Sequence, residues 1–243
     1  MTHDTRDEAA VPDLRERGRT ADGQPAFSDR RLWIQLLVFE GAPDPGPLAR
    51  ALGGAPVRGA LYADVNHPRG VGLAVAHEDP EYFAGLLRNF LNRPPFDALT
   101  LRPEFTMLGR TYALGYEPDL DRVLLARPVE RLCNPAWPWA MWYPVRRTGA
   151  FETLNPAEQR EILMEHAGLG AAWSKGGHAY DIRLACHGMD RADNDFVLGL
   201  VGPNLHPLSA MVQAMRRTKQ TSRYLASLGP FFVGRAVWQS PPA

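Results

Sequence analysis

The chain has 243 residues, 45% of them hydrophobic, and its 27 Lys plus Arg balance 27 Asp plus Glu. A zero net charge argues against a general nucleic-acid or polyanion surface, and two cysteines, Cys133 and Cys186, are too few for a disulfide scaffold or a thiolate metal site. The longest apolar runs fall short of a membrane span, and the N-terminus carries no apolar signal region, so the expectation is a cytoplasmic protein.

Residues 1–29 are polar and charged, with scattered apolar positions, and read as a disordered tail. Residues 30–117 read as one folded unit. It opens with the apolar strand LWIQLLVFE, followed by a short helix near Pro47 to Leu52. The strands ALYAD and GVGLAVAH come next, around a loop with the turn residues Asn66 and Pro68. Asp79 and Pro80 open a helix whose predicted inner stripe is Tyr82, Phe83, Leu86, Leu87 and Phe90. Phe105 to Tyr116 reads as a strand pair or one bent strand. The outline is β-α-β-β-α-β.

Residues 118–137 carry Pro and Arg and read as a linker. Residues 138–243 repeat the outline: the strand WAMWYPVRR, a helix around His166, strands at 180–187 and 195–201, a long helix over 205–228, and the last strand FFVGRAVW. The predicted fold class is α+β, with tandem ferredoxin-like units forming a dimeric α+β barrel-type fold. Open sheet edges in such units favour self-association.

The helix NPAEQREILMEHAGLG is well signed at its start. Asn155 is the N-cap, Pro156 takes the first helical position and Glu158 stands three residues on from the cap. Ile162, His166 and Leu169 share one face. A lone histidine on an apolar helical face is ordinarily a core residue. The strand YDIRLACHG changes the odds, because Tyr180, Ile182, Leu184 and Cys186 point one way while Asp181, Arg183, Ala185 and His187 point the other. A helix histidine facing a charged strand face points to a cofactor pocket. His178, in the Gly-rich turn KGGHAY, is expected to be exposed. No P-loop, Rossmann glycine signature or Ser-His-Asp ordering is present.

From about Trp142 to Trp238 the chain resembles the chlorite dismutase superfamily, in its long two-unit branch that includes coproheme decarboxylases. The resemblance rests on WYPVRR, EQREILMEHAGLG, CHGMDRADNDFVLGL, and MRRTKQTSRY followed by LGPFFVG, in that order and spacing. The first half matches in outline. The resemblance implies a haem protein, with haem b or coproheme, in which His166 is the proximal ligand to the iron. It implies ring-shaped homopentamers, and a porphyrin and a small oxidant as partners, with no nucleic acid or membrane. Tyr143 matches the tyrosine that forms the reactive radical in coproheme decarboxylases; an interface or core aromatic is the bland alternative. Arg147 matches a basic position that binds a propionate, a carboxylate that arginine grips in bidentate fashion. Arg127 and Arg131 could add propionate contacts from the linker.

This sequence also departs from the family pattern. Asp181 stands where chlorite dismutases hold a catalytic arginine, and Arg183 follows two residues later on the same strand face. The pocket therefore presents an arginine, an aspartate or an internal Asp–Arg pair. Arg183 would stabilise an anionic ligand, whereas Asp181 facing the iron would act as a proton shuttle with a raised pKa. His187 shares that face and is a candidate to hydrogen-bond a cofactor or substrate group; a strand-end histidine near solvent is the favoured alternative. Lys219, beside Gln220, stands where chlorite dismutases place a glutamate behind the ligand histidine, and a cation there would not raise its basicity. The resulting expectation is a haem-dependent oxidoreductase using peroxide or a similar oxidant, decarboxylase-like or peroxidase-like. The alternatives are a haem b enzyme with another small substrate, a non-enzymatic haem-binding or haem-transfer protein, and a cofactor-free barrel.

Overall fold

Alternation along the strands builds a barrel in the computed structural model, which describes residues 11–241. A hairpin of β1 (Glu16–Arg19) and β2 (Pro25–Ser28) comes first. The first unit then runs β3 (Trp33–Glu40), α1 (Gly46–Gly53), β4 (Gly59–Asp64), β5 (Gly70–His77), α2 (Arg88–Leu91), β6 (Thr100–Leu101) and β7 (Met107–Arg110). A helical connection ending in α3 (Arg127–Leu132) leads to β8 (Trp139–Arg147), α4 (Gly149–Glu152), α5 (Pro156–Lys175) and β9 (Tyr180–Ala185). β10 (Phe196–Gly202), α6 (Leu205–Met215), α7 (Lys219–Tyr224), β11 (Leu225–Leu228) and β12 (Phe232–Gln239) complete the chain.

The strands join in the order β10-β9-β7-β3-β5-β4-β12-β8, and β8 pairs back onto β10, which closes the ring. The two units meet along β4 and β12 and, by the single pair Arg110↔Ala185, along β7 and β9. This is the expected pair of ferredoxin-like units closed into one α+β barrel. Inward side chains from both units fill the interior, among them Ile34, Leu36, Tyr62, Trp142, Ile182, Leu184 and Phe232. Gly199 lets the Trp142 ring lie against β10, where a Cβ would come within 2.8 Å of it.

The outer faces of the two units differ. Leu48, Leu52, Leu87 and Phe96 seal the first against its helices in a dry core. The second packs Met141, Tyr143, Leu200, Leu208 and Met211 over its sheet, and only Ile162 of the 20-residue α5 is buried. A helix that buries so little of itself is standing over a cavity.

Several expectations are corrected. The predicted tail contains the β1–β2 hairpin; residues 1–10 lie outside the described residues. The hairpin docks through the Glu16 carboxylate, which accepts from Arg110 Nη1 at 3.1 Å and Ala113 N at 2.9 Å. The linker is helical through most of its length, because Pro128 follows a π turn over Arg122–Ala126 and needs no N–H partner. A second π turn over Phe83–Leu87 shifts the helical register, leaving Leu86 67% exposed outside its predicted stripe. The long helix predicted over 205–228 breaks where Thr218 caps α7, and its end becomes β11, hydrogen-bonded to β8. Phe105 to Tyr116 contributes one short strand, β7, and then a loop.

Candidate functional site

Tyr143, Val145 and Arg147 alternate along β8, so all three face the same way, outward from the barrel and toward α5 and α6. Leu198 of β10 pairs with Tyr143 on one side and Arg183 on the other, which makes Arg183, Leu198 and Tyr143 one row across the sheet. With strands about 4.8 Å apart, Tyr143 and Arg183 are two strands, roughly 10 Å, apart at the backbone. This sheet face and the helices over it enclose a cavity of about 470 Å³. Its lining includes Tyr143, Arg147, His166, Asp181, Arg183 and Arg131, which reaches in from α3. Phe196, Leu200, Met211 and Met215 supply apolar wall.

His166 is presented by α5, whose start is capped as its sequence requires: Asn155 Oδ1 accepts from Ala157 N and Glu158 N, both at 3.0 Å, and Glu158 returns the bond. The imidazole Nδ1 lies 3.3 Å from Thr218 Oγ1. The Thr218 hydroxyl donates its own proton to the Met215 carbonyl at 2.8 Å. With Met215 O, the nearest acceptor, taking the hydroxyl proton, Thr218 Oγ1 is free to accept from the imidazole, and the tautomer that fits this contact carries its proton on Nδ1 and leaves the Nε2 lone pair free. Burial lowers the His166 pKa from its usual value, with Arg183 and Arg147 adding to the effect and Asp181 opposing it. The ring is neutral, a state in which imidazole binds metal.

Lys219 does not occupy the place behind the imidazole that its sequence position implied. Its ammonium pairs with Glu161 at 2.7 Å, and its backbone N–H donates to Glu165 Oε2 at 3.0 Å. The residue behind His166 is Thr218. The signal for it was available as an N-cap threonine in TKQT, but the predicted helix ran through it.

Asp181 and Arg183 both line the cavity and pair with each other. Asp181 Oδ1 accepts from Arg131 Nη1 at 2.9 Å, and Oδ2 lies 3.1 Å from Arg183 Nε. Arg131 Nη1 also bonds the Asp181 carbonyl. Burial pushes the Asp181 carboxyl upward, but Arg183 and Arg131 outweigh it and hold the pKa below its usual value. The aspartate is thus a fixed anion rather than a proton shuttle with a raised pKa. Of the three arrangements open from sequence, the internal Asp–Arg pair is the one observed.

The Arg147 guanidinium lies between two rings, with Cζ 4.4 Å from the Phe151 centroid and 4.6 Å from that of Phe196. Its nearest carboxylate is Glu152, at 4.0 Å and largely exposed. Its Nε is buried without a partner, as is Oε1 of Gln220 on the same cavity. Burial lowers the Arg147 pKa. Tyr143 stacks on Phe231 at 4.5 Å, and burial first, then Asp181, raises its phenol pKa.

His187 lies outside the cavity. It is exposed at the strand end and rests 3.2 Å from Asp195 Oδ1, because β9 stops at Ala185 and the chain turns away. His178 is exposed as expected. Tyr112 and Tyr116, on the loop after β7, line the cavity and were not foreseen, since that segment reads as strand. Among the described residues no three His, Cys, Asp or Glu side chains group as a metal site, so a metal here would have His166 as its protein donor.

The chlorite dismutase family model matches residues 122–237. The sequence matches no curated protein. Solved structures with a similar fold include a novel haem-binding protein from Thermus thermophilus, at 17% identity, 85% of this chain, 93% of that chain and a TM-score of 0.63. Chlorite dismutase from Candidatus Nitrospira defluvii in complex with imidazole is similar at 16% identity, 88% of this chain, 93% of that chain and a TM-score of 0.63. A variant of the latter in complex with cyanide gives 14% identity, 88% and 92% coverage and a TM-score of 0.65. At such identities these structures speak for the fold. The family match spans the cavity-bearing unit, just under half of the chain, and the fold is shared across both units, so the chain is similar to the chlorite dismutase superfamily in that unit and in its overall fold.

Proposed function

We propose that this chain is a haem-dependent oxidoreductase that uses peroxide or a similar small oxidant, with His166 as the axial ligand. The observation that carries the reading is the placement of His166: its Nδ1 lies 3.3 Å from Thr218 Oγ1, burial favours the neutral ring, and the side chain lines a cavity of about 470 Å³. The cavity is within the range of small-molecule and cofactor sites. Two orphaned polar atoms, Arg147 Nε and Gln220 Oε1, mark it as built for a ligand with polar edges. Its lining pairs apolar walls with arginines, the mixture that an apolar macrocycle bearing carboxylates requires.

Haem bound there would supply redox-active iron for reaction with a small oxidant. The residues of the chain do the rest. His166 donates the lone pair, and Thr218 sets its orientation. Arg147, fixed between two rings, and Arg131 pair with ligand carboxylates. Arg183 offers N–H donors to the oxidant. Tyr143 keeps its proton, since burial disfavours the phenolate, so its oxidation must remove a proton together with the electron. That placement supports the decarboxylase-like form, in which Tyr143 is the radical site; in the peroxidase-like form it is a wall residue. A homopentamer in the cytoplasm is part of the same proposal.

A haem carrier without catalysis is the competing reading, favoured by the Thermus neighbour described as haem-binding. Loading the protein with coproheme or haem b and adding peroxide separates the three. Stepwise loss of carboxyl mass from coproheme that disappears in Tyr143→Phe establishes decarboxylation. Oxidation of an added reductant, unaffected by Tyr143→Phe, establishes peroxidation. Fast haem loss to apo-myoglobin with no peroxide consumed establishes the carrier and overturns the proposal.

A further inference from the structure

We propose that Asp181 and Arg131 are positioning residues that lock Arg183 in one orientation, so that the connection between the two units sets the oxidant-facing wall of the cavity. The inference rests on the haem reading for its function but not for its geometry.

Asp181 is gripped from two sides. Arg131 holds Oδ1 at 2.9 Å and also bonds the Asp181 carbonyl, fixing side chain and backbone together. Oδ2 remains for Arg183 Nε at 3.1 Å, and this is the one ion pair that Arg183 makes among the described residues. Because Nε is the atom engaged, the two Nη groups stay available on the cavity side. An arginine alone on this strand would have several rotamers and would lose that freedom only on binding a ligand. Pairing to a carboxylate that is itself held removes the freedom in advance.

Charge supports the same reading. Arg127, Arg131 and Arg183 surround one carboxylate, and Arg127 forms no ion pair among the described residues. Burial lowers the Arg127 pKa and the two neighbouring guanidiniums lower it further, so the cations repel one another. The small void among them, about 20 Å³, has room for about one water. Water on that scale screens three cations poorly, and Asp181 is the one anion in contact with two of them. Arg131 belongs to α3 in the connection rather than to either sheet face, which gives that segment a role in the site.

The lock is testable without haem. The 15Nε order parameter of Arg183 is measured in the apoprotein, its signal assigned by disappearance in Arg183→Gln. Wild type is expected near the rigid value of about 0.85, falling below about 0.6 in Asp181→Asn and in Arg131→Gln, with Arg131→Lys partly restoring it. Arg131→Gln leaves the Asp181 charge in place, so it separates positioning from charge removal if Asp181→Asn proves poorly folded. A flexible Arg183 in wild type, or one still rigid in Arg131→Gln, overturns the lock. In haem-loaded protein the same two variants are expected to move the ferric-fluoride spectrum toward that of Arg183→Gln. Failure to load haem in wild type would count against the functional reading and leave the order parameters to judge the lock.

Discussion

Thr218 Oγ1 stands 3.3 Å from Nδ1 of His166 while giving its own proton to Met215, so a neutral hydroxyl, and not a carboxylate or an ammonium, fixes the candidate ligand. The arrangement depends on α7 being docked against α5, which Glu165 and Glu161 achieve through the Lys219 backbone and side chain.

Thr218→Val removes the acceptor and leaves Nδ1–H unpaired in a half-buried site. Haem affinity is expected to fall by about 10- to 100-fold, the usual scale for loss of a partner behind a metal-binding histidine. Thr218→Ser keeps the oxygen and should stay near wild type. Transfer of haem to apo-myoglobin measures both; equal rates in Thr218→Val and wild type would refute the assignment.

Asp181 gives a pH signature in the apoprotein. Its folded pKa lies below the unfolded value of about 3.9. The unfolded chain therefore binds the extra proton across that window, and stability rises with pH there. The contribution is present above the unfolded pKa and is lost as pH falls through the folded one. Asp181→Asn should cost about 2 kcal/mol at neutral pH, the scale of a hydrogen bond to a charged group. The deficit should shrink in acid. Denaturant melts across pH decide it: a deficit that does not change with pH means the charge is not the source.

Arg147 contributes both packing and charge. Arg147→Met keeps much of the apolar volume between Phe151 and Phe196 but removes the cation. The melting temperature should stay close to wild type, whereas affinity for a carboxylate-bearing porphyrin should drop by about tenfold. Affinity for a porphyrin esterified at its carboxylates should then differ little between variant and wild type. An equal loss for acid and ester would assign Arg147 a packing role alone.

Gly199 has no space for a side chain. Its Cβ would fall 2.8 Å from the fully buried Trp142 ring, which closes the barrel interior behind the cavity. Gly199→Ala should cost about 1–3 kcal/mol by overpacking, read as a lower denaturant midpoint with an unchanged slope. A midpoint equal to wild type would mean that the ring can shift.

Much of this architecture is legible from patterning. The period-2 alternation of YDIRLACHG places Ile182 and Leu184 in the barrel and Asp181 and Arg183 on the cavity, and Asn155 caps its helix with Glu158 as the sequence requires. What local patterning misses is set by tertiary partners. The β1–β2 hairpin is held by partners nearly a hundred residues away, the Glu16 carboxylate on Arg110 and Ala113 and the Arg19 N–H on the Glu117 carbonyl. β11 reads as helix because its apolar residues continue the α6 stripe, yet it is captured by unpaired backbone on β8. His187 shares the parity of the cavity-facing residues of its strand, but the strand ends two residues earlier and parity carries no meaning beyond it. The choice between Asp181 and Arg183 was undecidable from sequence because Arg131, the residue that resolves it, comes from a different element.

The measurement closest to the central claim is a titration of haem b and coproheme into wild type and His166→Ala, followed by visible spectroscopy. Wild type is predicted to give a saturable Soret band at one haem per chain, and His166→Ala to lose that band or shift it. The same band with the same affinity in both proteins would mean that the His166 imidazole does not bind the iron.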